Sequence, residues 1–205
     1  MSRQCYRLAL LTVIGTSMLG LYLIIGHLHR ADSLVLAMPE AVPFVPALAL
    51  PYLALLGVAW FLPLALRSDR LFAECVMAGV LAYLLVAPWW LLVPTILPRP
   101  PLTDHGWTTT YRWLIAIDAP SNIFPCAHVL GPSLAAWYAA RDRPAWRWWL
   151  AASLALGIPT IALTWQHRPV DILIGLLCAA LAALVVGSAY RPRLTTSGPL
   201  PTACP

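Results

Sequence analysis

Long uninterrupted apolar runs dominate this chain and restrict what it can fold into. The first run, from Leu8 to Gly26, would extend roughly 29 Å as a helix, which is enough to cross the hydrocarbon core of a bilayer. Of the 205 residues, 60% are apolar and 10% are charged, whereas soluble domains carry about 25% charged residues. A soluble core cannot absorb this much apolar surface, so the sequence predicts an all-α, polytopic membrane protein.

Six transmembrane helices are predicted, at about residues 8–26, 41–66, 71–97, 127–140, 150–165 and 170–190. Arg3 and Arg7 precede the first run, which leaves a signal peptide as the alternative, but a signal's apolar region is shorter, about 7–15 residues. Prolines in the second run predict a kinked or delayed helix. A short interfacial helix is expected from Thr108 to Ala119. Residues 1–190 would then form one membrane domain, followed by a disordered cytoplasmic tail at 191–205.

The arginines give this topology an orientation. All 13 basic residues are arginine, and six spans place most of them on the side of the two termini. That side carries Arg3, Arg7, Arg67, Arg70, Arg141, Arg143, Arg147, Arg191 and Arg193, and the other carries Arg30, Arg99, Arg112 and Arg168. The positive-inside rule therefore predicts cytoplasmic termini in an inner or plasma membrane. The net charge of +5 comes without a basic run or stacking array, so no nucleic-acid partner is expected.

Two polar motifs at span ends carry the candidate chemistry, and both fall on the predicted outer face. In the second, His167 and Asp171 are spaced to share one face of a helix. An aspartate bonded to one imidazole nitrogen leaves the other nitrogen as a nucleophile or base. Pro169 favours the first position of a helix, which would leave His167 just outside it. The alternative is a helix-capping aspartate beside an interfacial histidine.

His128 closes the first motif, at the start of the fourth predicted span. A lone histidine there is commonly an interfacial residue, but a second histidine and an aspartate on the same side favour chemistry, because ionisable groups at membrane depth are usually functional. Arg99 lies on this side too, where its guanidinium can bind phosphate or, alternatively, a lipid headgroup. Asn122 can donate to a substrate oxygen or hold its own turn.

Cys126 precedes His128 by two residues and offers two further interpretations. It can act as a nucleophile beside His128, although nothing in the sequence lowers its pKa. Together with His128, His167 and Asp171 it also has the ligand types of a zinc site. The chain has no CxxC or HxxxH pair, so no metal is predicted.

These motifs resemble the membrane-bound type 2 phosphatidic acid phosphatase superfamily, and most closely its branch of inositol phosphorylceramide synthase and sphingomyelin synthase-like proteins. The resemblance is carried by PEAVPFVP (39–46), PTILPRP (94–100), NIFPCAH (122–128) and QHRPVD (166–171) with Gly175. It implies a six-helix fold and metal-independent phosphoryl transfer without a cofactor. His167 would be the nucleophile, Asp171 would orient it, and His128 would be the general acid. Arg99, Asn122 and Cys126 would bind the substrate.

The chain also departs from this family's pattern. The family usually has a lysine ahead of Arg99, and this chain has none. Serine is usual at the position of Cys126, and Ser-Arg is frequent where Thr160 and Ile161 stand, although the synthase-like branch tends to lack that arginine. Arg168 replaces a frequent aromatic residue, and we assign it a substrate-binding role in place of a missing phosphate contact.

The sequence thus leads to an expected lipid phosphatase or phosphotransferase whose partners are the bilayer and a lipid phosphate, with its active site on the extracytoplasmic side. If a lipid or polyol hydroxyl replaced water as the acceptor, the same site would be a head-group transferase. The alternative from another class is a non-catalytic transporter or scaffold. A transporter would need polar residues distributed along its spans, and the fourth and sixth spans have few.

Overall fold

The computed structural model of the chain describes residues 2–28, 32–102 and 108–190, which contain seven α-helices. These are α1 (Arg3–His27), α2 (Ala49–Phe61), α3 (Asp69–Leu92), α4 (Thr108–Ile117), α5 (Leu130–Asp142), α6 (Arg147–Leu163) and α7 (Pro169–Ala189). Two short strands, β1 (Leu34–Val35) and β2 (Thr95–Ile96), pair in parallel. The all-α class is confirmed. The predicted disordered tail and Arg30 lie outside the described residues.

Four helical segments are long and apolar enough to cross a membrane, and they indicate a membrane protein. They are Arg3–His27, Pro46–Ala65, Asp69–Leu92 and Pro169–Ala189. The helices at the fourth and fifth predicted spans are shorter, because α5 has 13 residues and α6 has 17, whereas a span needs about 20. Within the described residues, four of the six predicted spans therefore correspond to helices of sufficient length and apolarity, and the number six stays a prediction.

Prolines and caps set the ends of these helices. The second span begins with a 3₁₀ turn at Pro46–Leu48, later than the predicted start, because proline has no N–H to give to a preceding helical turn. Ser68 accepts from the Leu71 N–H at 3.2 Å and caps α3. The short helix predicted between α3 and α5 is present as α4, which ends at Ile117, two residues before the predicted end.

One end of the helical bundle, the site end, gathers the loops that contain the polar motifs. The Val45 N–H donates to the Leu163 carbonyl at 2.7 Å, and the Ser121 hydroxyl donates to the Gly26 carbonyl at 2.6 Å. These bonds join the ends of α1 and α6 to the loops before α2 and α5. The histidine motifs are therefore held on a framework of cross-loop hydrogen bonds.

The opposite end, the arginine end, is tied by ion pairs. Arg7 and Arg3 both contact Asp69, at 2.7 and 2.6 Å. The Arg143 guanidinium donates to the Ala65 carbonyl at 2.8 Å. Because α1, the α2–α3 turn and the α5–α6 turn meet here, successive long helices run in alternating directions between the two ends.

Candidate active site

Two histidines from different loops meet at the site end. His128 lies in the turn before α5, and His167 lies in the short connection between α6 and α7. Their rings are in hydrogen-bond contact, with 2.8 Å between His128 Nδ1 and His167 Nε2. The structure thus brings together the two residues that the sequence assigned as acid and nucleophile.

The hydrogen bonds of His167 define its tautomer. Its Nδ1 lies 2.6 Å from the Ile123 carbonyl oxygen, which can only accept, so Nδ1 carries the proton. Nε2 therefore carries no proton, and its lone pair accepts a hydrogen bond from His128 Nδ1–H. Burial, reinforced by the neighbouring His128 ring, lowers the pKa of His167 to about 3. His167 is a neutral imidazole with Nε2 as its nucleophilic atom.

Asp118 lies near the Nε2 side of the His128 ring, and no role was predicted for it from the sequence. Its Oδ2 is 4.0 Å from His128 Nε2, and its Oδ1 accepts from the Tyr22 hydroxyl at 2.8 Å. Burial raises the pKa of the Asp118 carboxyl, while the Arg99 guanidinium opposes that shift. Asp118, His128 and His167 thus form a line of titratable groups in which the two histidines are in hydrogen-bond contact and the carboxylate lies 4.0 Å from the nearer ring.

Arg99 lies inside the site, with its side chain 10% exposed. Its Nη1 donates to the Asp118 carbonyl at 2.6 Å and its Nη2 donates to Gln166 Oε1 at 2.9 Å. It also lies 3.7 Å from the Asp118 carboxylate. The guanidinium therefore connects the loop of the first histidine to that of the second, and its positive charge acts on the His128 ring.

Asp171 does not orient His167 in this structure, contrary to the prediction. Its carboxylate accepts from the Arg168 backbone N–H at 3.0 Å and from the Arg168 guanidinium at 3.0 and 2.8 Å. Because Pro169 begins α7, Asp171 lies in the first turn, where its carboxylate caps the helix. The Ile123 carbonyl takes the position on His167 Nδ1 that was predicted for Asp171. The same ion pair engages the Arg168 side chain, which was predicted to bind substrate.

Asn122 and Cys126 are both buried in the turn that leads to α5. Asn122 has a positive φ of 56°, and its side-chain amide donates to the Tyr22 carbonyl at 2.8 Å, so it holds its turn against α1. The Cys126 N–H donates to the Asp171 carbonyl at 3.1 Å. A Cβ on Gly175 would lie 2.3 Å from the Cys126 carbonyl oxygen, so only glycine allows α7 to approach this closely.

Three of these side chains form a cluster that is able to hold a metal ion. One ligand atom from each of Cys126, His128 and His167 lies within 4.8 Å of the others. Thiolate and imidazole are the ligands of zinc, and the bond from His167 Nδ1 to a backbone carbonyl is typical of a metal-ligating histidine. Burial raises the pKa of the Cys126 thiol, so a metal would have to displace its proton. Asp171, the fourth candidate ligand from the sequence, is instead bonded to the Arg168 guanidinium.

An apolar cavity of about 270 Å³ extends from His128 between α1, α2, α3 and α5. Aliphatic, aromatic and glycine residues make up most of its wall, among them Ile14, Met18, Leu56, Trp60, Val76 and Gly79. The cavity is long enough to reach from the site end to Leu11 and Cys75, near the arginine end. Its wall suits a hydrocarbon chain.

Several site residues were missed by sequence reasoning. Asp118 ends the segment containing α4 and is one of only eight acidic residues in the chain, which was an available signal because acidic groups at membrane depth are costly to bury. Tyr22 lies within an apolar run and has no such signal. Ile123 acts through its backbone carbonyl, which no side-chain pattern reveals.

Comparison with known proteins does not place the chain in a family. No protein-family model matches it, and a search of curated proteins found no match.

Proposed function

We propose that this chain is an integral-membrane enzyme that cleaves a lipid phosphate ester through a phosphohistidine formed on His167. The observation that carries the proposal is the 2.8 Å contact between His128 and His167, beside Arg99 and at one end of an apolar cavity. A nucleophile, an acid and a fixed cation are what phosphoryl transfer requires. The cavity supports a substrate with a hydrocarbon tail.

In the first step, the phosphoryl group of the substrate displaces the His128 hydrogen bond from His167 Nε2. The Nε2 lone pair then attacks phosphorus, and the bond between phosphorus and the ester oxygen breaks. The Ile123 carbonyl remains bonded to Nδ1–H and stabilises the positive charge that develops on the ring. Arg99 stabilises the negative charge on the phosphoryl oxygens.

The leaving alkoxide needs one proton, and Asp118 and His128 together supply it. Burial raises the pKa of Asp118 and lowers the pKa of His128 to about 4, so a proton shared by this pair would reside on the carboxyl, facing neutral His128. Closing the 4.0 Å gap between Asp118 Oδ2 and His128 Nε2 allows the proton to pass. After transfer, His128 is neutral and Asp118 is ionised.

In the second step, the same pair acts as a base. It takes a proton from the acceptor hydroxyl, whose oxygen attacks the phosphohistidine and releases His167. Water as the acceptor gives a phosphatase, and a lipid or polyol hydroxyl gives a head-group transferase. The sequence motifs favour the type 2 phosphatidic acid phosphatase superfamily and its synthase-like branch for this chemistry.

We further propose that the chain crosses the membrane six times, with cytoplasmic termini. The alternating direction of the helices supports six crossings, since α5 and α6 connect the two ends of the bundle although they are short. Packing of α5 against α2, α3, α6 and α7 removes most of its surface from lipid, so it does not need a full apolar length. The arginine excess at the opposite end supports an extracytoplasmic site.

The test is turnover of a panel of lipid phosphates by purified protein in detergent with a chelator, beside His167→Ala. We expect chelator-resistant release or transfer of phosphate that is lost in the variant, and the product identifies the acceptor. Absence of turnover on every substrate, with the variant folded like the wild type, would favour a scaffold or transporter. Loss of activity caused by the chelator alone would favour a metal mechanism at Cys126, His128 and His167.

A further inference from the structure

Two buried tyrosine hydroxyls near Arg99 and Asp118 have no hydrogen-bond partner among the described residues. Tyr52 in α2 and Tyr111 in α4 are each 0% exposed, and neither Oη atom is bonded within the described part of the chain. Burying a hydroxyl without a partner costs free energy, so such groups commonly await a ligand. By contrast, the Tyr22 hydroxyl is bonded to Asp118.

Both tyrosines belong to the site. The Tyr52 ring lies edge-on to His128, with 5.5 Å between centroids. Tyr111 packs edge-on against Phe44 at 5.1 Å, and its hydroxyl lies within Coulombic range of Arg99 and Asp118. The Tyr52 hydroxyl lies within the same range of Arg99, Asp118 and Tyr111. Both phenols therefore interact electrostatically with the Arg99 and Asp118 side chains of the site.

The two phenols and the Arg99 guanidinium together favour an anion as their ligand. A phenol donates one hydrogen bond, and a guanidinium only donates. Arg99 supplies a positive charge that interacts with both phenols and with His128, while the Asp118 carboxylate already accepts from Tyr22. Donors beside a fixed cation complement a tetrahedral oxyanion that presents several acceptor oxygens.

We propose that the Tyr52 and Tyr111 hydroxyls donate hydrogen bonds to the non-bridging oxygens of the phosphoryl group, with Arg99 as the third contact. This inference rests on the proposed function and adds two substrate-binding residues to it. Neither residue takes part in proton transfer. Both hold phosphorus in line with His167 Nε2.

Orthovanadate and inorganic phosphate, which carry no tail, test the inference as binding probes, next to a short-chain lipid phosphate. The variants are Tyr52→Phe, Tyr111→Phe and the double variant. Tyr138→Phe is the matched control, because the Tyr138 hydroxyl is also buried and unpaired among the described residues but lies in α5 near Glu74 and Arg141 at the arginine end. Binding is measured by calorimetry and stability by thermal unfolding without ligand.

We expect each site variant to weaken binding of all three probes about 10-fold or more, as for a hydrogen bond to a charged group. The ligand-free melting temperature should not fall, since no hydrogen bond is lost, and the control should bind like the wild type. Equal binding by wild type and variants would overturn the inference, as would a drop in ligand-free stability large enough to explain the weaker binding.

The outcomes separate this inference from the reaction. A wild-type protein that binds vanadate through both tyrosines but never forms phosphohistidine retains the anion site and refutes the reaction. Turnover that persists with unchanged affinity in the double variant refutes the tyrosine contacts alone. If the wild-type protein binds the lipid phosphate but neither inorganic anion, the tail provides the affinity. The tyrosine contacts are then rejected if the lipid phosphate binds equally to the wild type and the variants.

Discussion

Filling the apolar cavity at Gly79 should shorten the hydrocarbon tail that the enzyme accepts. Gly79 lies in α3 on the cavity wall, and nothing lies within 4 Å of the place where its Cβ would stand. A leucine side chain in Gly79→Leu would therefore project into open space. The variant should not lose stability, because replacing glycine in a helix gains about 0.5–1 kcal/mol.

The magnitude follows from volume. At about 30 Å³ per methylene, the volume of one water molecule, the cavity of about 270 Å³ accommodates about nine carbons. The four carbons of leucine displace about four of them, which removes about 3 kcal/mol of binding at about 0.8 kcal/mol per methylene. Long tails should then bind roughly 200-fold more weakly, while tails of up to about five carbons still fit.

The assay compares KM, or the inhibition constant, for lipid phosphates of increasing tail length in detergent. Gly187→Leu is the matched control, because Gly187 in α7 also faces open space and does not line the cavity. The reasoning is refuted if Gly79→Leu weakens short and long tails equally, or if long tails bind as they do to the wild type.

Four further predictions concern the polar site. Asp118→Asn removes the shared proton and should lower kcat about 10²-fold or more, measured by steady-state turnover with unchanged helicity. Asp171→Asn breaks the pair with Arg168 and should lower stability by about 1–3 kcal/mol with a smaller effect on kcat, measured by unfolding and turnover together. Zn²⁺ should inhibit by engaging Cys126 and both histidines, and Cys126→Ser should raise the inhibiting concentration about 10-fold or more, whereas Cys178→Ser should not. Between pH about 3 and 6.5, His167 is neutral in the folded protein and protonated in the unfolded protein. The free energy of unfolding should therefore decrease as the pH falls through that window, and it should decrease less in His167→Gln. Melting curves of both proteins at pH 5 and 7.5 check this.

The sequence predicted for a physical reason that His128 and His167 lie on the same side. Each of the two stands where an apolar run begins or ends, so the predicted topology alone brings them to one side. The sequence could not show the distance between the two rings or the tautomer of His167. The Ile123 carbonyl fixes that tautomer, and every residue has a backbone carbonyl, so no sequence pattern identifies it.

Asp171 shows where spacing fails as evidence. A separation of four residues suits both a pair across one helical turn and a cap followed by its helix. Pro169 decides between these, because it begins α7 and leaves the Arg168 N–H exposed for Asp171 to cap. The sequence contained both interpretations, and only the position of the helix start distinguishes them.

The helices illustrate the same division. Apolar length located α1, α3 and α7, whose surfaces include exposed leucines and valines such as Val13, Leu84 and Leu184. It also located α5, predicted as a short span at about 127–140, although the apolar residues of α5 are largely buried against other helices. Apolarity reports burial in protein and in lipid alike, so it cannot tell a packed core helix from a lipid-facing one.

Trapping the phosphoryl-enzyme tests the central claim most directly. Purified protein with chelator is quenched during turnover of a phosphorus-labelled lipid phosphate, and the labelled residue is located by mass spectrometry under alkaline conditions, which preserve phosphohistidine. The account predicts label on His167 in the wild type and none in His167→Ala. Turnover without label on His167, or label on Cys126, would contradict it.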